Sequence, residues 1–444
     1  MTESESEARL DLVPPAPPAE LAAELPVETP RAARVWNRDF LLLWQGQMVS
    51  ALGDTVYEIA LGFWVLAKTG STALMGSLMA ATALPRILVA PFAGVVVDRS
   101  DRRGLAIAMD IIRGLFIVLV ALAAYAGLAR VWMVFVAGIV IGTCGAFFGP
   151  AVSSALPDIV PRSGIVQANS AFNIIYTGSG IVGNAGGGFL YQFLGAPLMF
   201  LLNGLSYIVS SVSLLFIRIP KVVRERVRPA FFAEMKQGLA FVWNIRGLRF
   251  LFGVALVLNF FATIGIVLLL PLFQRTAGLG PERYGVTMAL FTGGLFLGFL
   301  LGATLRIAPQ RRFALFLACG FATSLCFASF PLVGNWYIML ALMLVGGVVN
   351  AILNNYINAI VQLIVPQNMR GKVFSLLGAI SQAATPLAMA LGGVLGQFLP
   401  LRFVISGSFV VTLLFFVPLL FSGSFRRFIN FDPDHDTLST VSSN

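Results

Sequence analysis

Five charged side chains fall within strongly apolar stretches of this chain: Asp54, Glu58, Arg86, Asp110 and Arg113. A charge at the centre of a hydrocarbon layer costs about 2.5–3.5 kcal/mol even on permissive insertion scales, so each needs a partner or a task. Asp54 and Glu58 are four residues apart and share a helix face. A carboxylate reached in turn from two aqueous phases can take a proton from one and release it to the other. At 1.5 Å per residue, Asp54 lies about 21 Å from one end of its helix and Arg86 about 18 Å from the same side. Arg86 at that depth can hold Asp54 charged in one state and release it in another. Asp110 and Arg113, three apart on one face, either extend this set of proton-coupling residues or neutralise each other.

Every carboxylate in an apolar run belongs to the first half of the chain; the second half offers amides. Asn350, Asn354 and Asn358 recur every four residues, and Asn169, Asn173 and Asn184 form a comparable set earlier. Such stripes either hydrogen-bond between helices or line a substrate cavity between the halves. The chemistry of an enzyme has little support. The only histidine is His435, no Cys/His spacing suits a metal, and no Gly-x4-Gly-Lys loop could cradle ATP phosphates. The expectation is no metal and no cofactor, with an ion gradient as the energy source.

The elements that carry these residues follow from composition. Hydrophobic residues make up 58% of the 444, charged ones 11%, and mean hydropathy is +0.87, so lipid must be the solvent. Membrane lipid is thus one partner and nucleic acid is not: the net charge of +10 is spread over short clusters between apolar runs, forming no basic stripe. The apolar runs number twelve, each near the roughly 20 residues a spanning helix needs. Lys and Arg in alternate connections are unequal. Arg99, Arg102, Arg103, Arg162, eight cations in 218–249, Arg306, Arg311, Arg312, Arg370 and Lys372 face Lys68, Arg130, Arg275, Arg283 and Arg402. The positive-inside rule then predicts both termini and the middle segment in the cytoplasm. Residues 1–35, acidic and Pro/Ala-rich, read as a disordered cytoplasmic tail without a leader's apolar core. A six-helix bundle over 36–218, a linker with a surface helix over 219–248, a second bundle over 249–424 and a tail over 425–444 complete the plan. Cys144, Cys319 and Cys326 read as packing residues.

An internal repeat supports two related halves. GGFLYQFL at 187–194 and GGVLGQFL at 392–399 agree at six of eight positions, and Val160-Pro161 recurs as Val365-Pro366 at the same offset of 205.

Between the second and third runs stand Gly94, Asp98, Arg99, Asp101, Arg102 and Arg103, spaced Gly-x-x-x-Asp-Arg-x-Asp-Arg-Arg. This resembles the signature loop of the major facilitator superfamily, with Asp101 in place of a glycine. The resemblance implies a latch that holds the outward-open state. Gly183, Asn184, Gly187 and Gly188 resemble the glycine motif of the antiporters in that superfamily, with Asn184 where proline is usual. That stretch reads either as tight helix packing or as a mark of antiport. Phe148-Gly-Pro150, Pro157-Asp158, Ala168-Asn169-Ser170 and Phe40 to Trp44 with Gly53-Asp54 resemble the macrolide-efflux and enterobactin-exporter branch of drug:proton antiporters.

The expected fold is therefore all-α and integral to the membrane: twelve transmembrane helices in two pseudo-symmetric six-helix bundles, the major facilitator fold. The expected function is proton-coupled efflux of a hydrophobic small molecule, a drug, macrolide or siderophore, by one chain acting as a monomer in a bacterial cytoplasmic membrane. An importer or lipid flippase, or a sensor that no longer transports, are the competing readings on the same fold.

Overall fold

A computed structural model describes residues 34–218, 231–305 and 307–432. Eleven helices in it are long and apolar enough to cross a membrane. The longest, Ile165–Leu215, breaks at Gly195, whose φ of 69° and ψ of 168° no helix accommodates. It therefore counts as two spans, which brings the total to twelve. We label them α1 (Arg38–Thr69), α2 (Thr72–Arg99), α3 (Arg102–Tyr125), α4 (Val131–Ile159), α5 (165–194) and α6 (196–215). The second half holds α7 (Arg246–Arg275), α8 (Pro281–Thr304), α9 (Pro309–Ser329) and α10 (Trp336–Ile364). It ends with α11 (Gln367–Ala383 continued by Thr385–Phe398) and α12 (Leu401–Leu420).

In lipid every backbone polar group must find its partner within the chain, and helices achieve this segment by segment. Their ends are closed locally. Asn37 caps α1 by accepting from the Phe40 amide at 2.9 Å, Ser71 caps α2, Asn335 caps α10, and Gly70 ends α1 in the left-handed conformation. A short helix, Phe231–Asn244, lies between the halves and reaches α11 through a 2.6 Å bond from the Lys372 amine to Gln237. Residues 1–33 of the expected tail, 219–230 of the linker and 433–444 of the second tail lie outside the described residues.

The first bundle packs α1 and α3 against α5 and α6, and α2 against α4; the second packs α10 against α8 and α9, and α12 against α7 and α9. Between bundles the main contacts are α5 with α8 and α2 with α11. Three apolar clusters show how the bundles are set. One, with Phe63, Trp64, Met75, Phe200, Phe273 and Phe330, draws on both halves. A second, around Phe316, Phe416 and Phe428, belongs to the second half alone, and a third, around Phe40, Phe148 and Phe172, to the first. The bundles thus share one core at the end holding the α1–α2 and α7–α8 turns, and have separate cores at the other. Exposed polar residues on helices of both halves, Glu58, Arg86, Asn169, Asn173, Asn354 and Asn358, mark the space between those separate cores as a cleft.

Small residues make the shared end possible. Gly188 of α5 lies against Pro281 and Glu282 of α8, and Gly393 of α11 against Thr72 and Gly76 of α2. Gly188 and Gly393 occupy matching positions of the sequence repeat, so the duplicated motif closes the molecule twice. A Cβ on either would press into facing backbone.

Candidate functional site

The carboxylates of α1 sit where the cleft narrows. Glu58 is exposed despite its depth in the chain, and it lies within electrostatic reach of Asp54, Arg86 of α2 and Tyr284 of α8. A side chain flanked by both bundles and still exposed faces the space between them. One helical turn further on, Phe63 meets Tyr191 of α5 (ring centroids 5.1 Å apart) and Tyr284 of α8 (5.5 Å). Tyr284 in turn meets Phe273 of α7, which stacks on Phe330. These rings cross from one bundle to the other and roof the cleft above Glu58.

Asp54, one turn below Glu58, points instead into the first bundle and accepts a hydrogen bond from the Tyr207 hydroxyl of α6. Gly53 permits that approach: a Cβ there would lie 2.5 Å from the Ser206 hydroxyl oxygen and 2.7 Å from Oδ1 of Asn203, both on α6. The Arg113 guanidinium of α3 lies over the Tyr207 ring, 4.3 Å from its centroid, and over Phe148 of α4 at the same distance. Its charge is met by Asp110, fully buried, with which it forms a salt bridge. Three helices, α1, α6 and α3, thus bring Asp54, Tyr207, Arg113 and Asp110 into one polar line. Gln47 Nε2, Asn203 Nδ2, Ser210 Oγ, Asp110 Oδ2 and Arg113 Nε add buried polar atoms that have no hydrogen-bond partner among the described residues. Native interiors rarely leave so many together, and such clusters accompany functional sites.

Of the residues singled out by sequence, Asp54, Glu58 and Arg86 come together, with Arg86 exposed near both acids and making no ion pair among the described residues. Asp110 and Arg113 pair with each other, behind Tyr207. The α5 stripe divides: Gly180 and Asn184 contact Thr292 and Gly285 of α8, whereas Asn169 and Asn173, further along the same face, are exposed. The contact ends where the cleft begins. On α10, Asn354 donates to Asn350 through its amide at 3.0 Å, and Asn358 is exposed. Val345 and Leu363 are exposed on the opposite side of α10, so the amides occupy the polar face and the apolar residues suit lipid. Gly183 and Gly187 pack on Thr55 and Ile59 of α1.

The basic loop works within its own bundle. Arg102 donates to Asp158 of α4 at 2.8 Å and to the Ser154 carbonyl, and Arg103 donates to the Leu214 and Leu215 carbonyls at the end of α6. Arg99 and Asp101 are exposed, Gly94 has open space beside it, and the Asp98 side chain lies outside the described residues, as does Arg306. In the second half Arg312 plays a similar part, donating to the Phe431 carbonyl at 2.6 Å.

Tyr207, Asn203, Ser210, Phe63, Tyr191 and Tyr284 are site residues that sequence reasoning missed, and Phe148 entered it only through a family resemblance. A signal existed for α6, which carries Asn203, Ser206, Ser210, Ser211 and Ser213 in an otherwise apolar span.

The family model of the Major Facilitator Superfamily matches residues 43–376, three quarters of the sequence. The chain belongs to the major facilitator superfamily. It is 27% identical over 395 residues to macrolide efflux protein A of Streptococcus pyogenes, covering 87% of this chain and 96% of that protein. Over 368 residues it is 28% identical to the multidrug efflux pump Tap of Mycobacterium tuberculosis, covering 80% and 86%. Among solved structures it resembles a bacterial homologue of the iron transporter ferroportin in an inward-facing state, with a TM-score of 0.66 at 16% identity, covering 86% and 98% of the two chains. It also resembles the nucleoside transporter NupG, with a TM-score of 0.68 at 12% identity, covering 88% and 99%. This member of the superfamily is a multi-pass membrane transporter and not an enzyme, and a cleft between two bundles fits alternating access.

Proposed function

We propose that the chain exports a moderately hydrophobic small molecule in exchange for protons, with Glu58 and Asp54 as the coupling acids. The observation that carries this reading is the split environment of two acids on one helix face. Glu58 lies open to the cleft beneath the Phe63–Tyr284 roof, and Asp54 is bonded to Tyr207 inside the bundle. The efflux names of the two relatives support the direction and the class of cargo.

In this reading the shared end faces outward, while both termini and residues 219–248 are cytoplasmic, as the Lys/Arg distribution favours. The cleft then opens to the cytoplasm. A proton leaves Glu58 into the open cleft, and cargo enters beside the exposed Asn169, Asn173, Asn354 and Asn358. Rocking of the bundles then opens the roof and closes the cytoplasmic end. Glu58 meets the outer phase, takes a proton, and cargo departs. Arg86 offers the charge that holds either acid ionised while the other is neutral. The basic loop of Asp98 to Arg103 would latch the cytoplasmic end once the bundles meet there. The proton gradient supplies the energy, and no cofactor takes part.

The test is transport in proteoliposomes with a macrolide as probe. Glu58→Gln should abolish uphill accumulation driven by a pH gradient and preserve downhill exchange. Accumulation by that variant at the wild-type level would refute Glu58 as a coupling acid.

A further inference from the structure

At the shared end, the close of α7, the α11–α12 turn and the start of α12 line an open cavity of about 600 Å³. Arg275 and Arg402 both line it, and no carboxylate does. The sequence puts only five Lys or Arg in the connections on this face, so two in one cavity is more than the local charge density provides. Arg402 is exposed and makes no hydrogen bond or ion pair among the described residues. The rim is apolar and open: Phe398 is 80% exposed, Phe403 69% and Leu399 52%. Two guanidinium groups suit a phosphate, which they bind with charge-assisted hydrogen bonds. Exposed aromatic and aliphatic side chains at helix ends suit the first methylenes of an acyl chain. A free anion has no use for that rim, whereas a phospholipid needs both parts.

The cavity also touches the seam between bundles. Arg275 donates to the Gly70 carbonyl at 2.5 Å, and the Gln397 side chain accepts from the Thr72 amide at 3.0 Å, both across to the first bundle. A ligand seated on Arg275 thus reads whether the bundles are joined at this end. We propose that this cavity binds the phosphate of an anionic phospholipid from the adjacent leaflet, and that the bound lipid favours the closed arrangement of this face. A ligand shifts such an equilibrium by its differential affinity for the two states.

The proposal does not depend on the cargo or on the coupling acids, so its test needs no transport. Lipid retention by the purified full-length protein is followed by native mass spectrometry with phosphatidylglycerol, phosphatidylcholine and inorganic phosphate as probes. Phosphatidylglycerol should be retained in preference to phosphatidylcholine. Arg402→Gln should weaken retention at least fivefold and Phe403→Ser several-fold, while Arg130→Gln, at another turn on the same face, should leave it unchanged. In nanodiscs, spin labels at Lys68→Cys and Ala277→Cys should report a larger close-distance population with phosphatidylglycerol than with phosphatidylcholine. Equal retention by wild type and Arg402→Gln would overturn the site. Displacement of lipid by equimolar inorganic phosphate with no effect of Phe403→Ser would make it a free-anion site and overturn the lipid assignment. Identical label distances in the two lipids would overturn the coupling to closure.

Discussion

The Tyr207 hydroxyl donates to Asp54, and the ring that carries it lies under the Arg113 guanidinium. One side chain therefore joins Asp54, the inward-pointing acid of α1, to the buried Arg113–Asp110 pair. Tyr207→Phe removes the donor and keeps the ring. It should cost about 0.5–1.5 kcal/mol of stability and shift the pH dependence of uphill transport. A pH profile superimposable on wild type would separate Tyr207 from coupling.

Asp110 and Arg113 are a buried pair, so each single change leaves a charge unanswered. Asp110→Asn or Arg113→Gln alone should lower stability by about 3–5 kcal/mol. The combination of Asp110→Leu and Arg113→Met should regain most of that loss. Thermal midpoints in one detergent check this; a double variant as unstable as the singles would argue that the pair does more than neutralise itself.

Gln397 accepts from both the amide and the hydroxyl of Thr72 and so ties α11 to the start of α2. Gln397→Ala should open the shared end. A bias of about 1–3 kcal/mol changes populations roughly 5- to 150-fold, which distances between labels at 68 and 277 would register. An unchanged distribution would mean that the glycine crossings alone hold this face.

The middle of the chain should face the cytoplasm. With Cys144, Cys319 and Cys326 replaced, an impermeant thiol reagent should not label Trp243→Cys, on the exposed side of the surface helix, from outside intact cells. Labelling from outside would invert the assigned topology and the direction of transport.

The Asp98 loop gives a separate test of the latch. Asp98→Asn should slow transport and leave cargo binding intact, since the loop is remote from Glu58 and acts on a conformational equilibrium. Wild-type rates at equal expression would remove the latch from the account.

The fold was legible because each span is an apolar run bounded by polar or Gly/Pro residues, and even the break at Gly195 falls between two such runs, at about 165–190 and 196–217. The acids of α1 and the i,i+3 pairing of Asp110 with Arg113 could be read for the same reason: they are local. Tyr207 could not be read, because it meets Asp54 across 153 positions of sequence. Only the crossing of α1 and α6 at Gly53 and Ser206 creates that contact. The roof of Phe63, Tyr191 and Tyr284 is hidden in the same way, as three aromatic residues among many until two bundles close on them. Depth alone suggested Arg86 as the direct partner of Asp54; the rotation of α1 gives Asp54 to Tyr207 and leaves Arg86 beside both acids.

The central claim is that the carboxylates of α1 couple proton entry to cargo exit. Its most direct measurement is uphill accumulation of a macrolide by proteoliposomes under an imposed pH gradient, beside downhill exchange in the same preparation. The account predicts that Asp54→Asn and Glu58→Gln each lose uphill accumulation and its dependence on pH, with exchange still measurable. Retention of wild-type accumulation and pH dependence by both variants would contradict it.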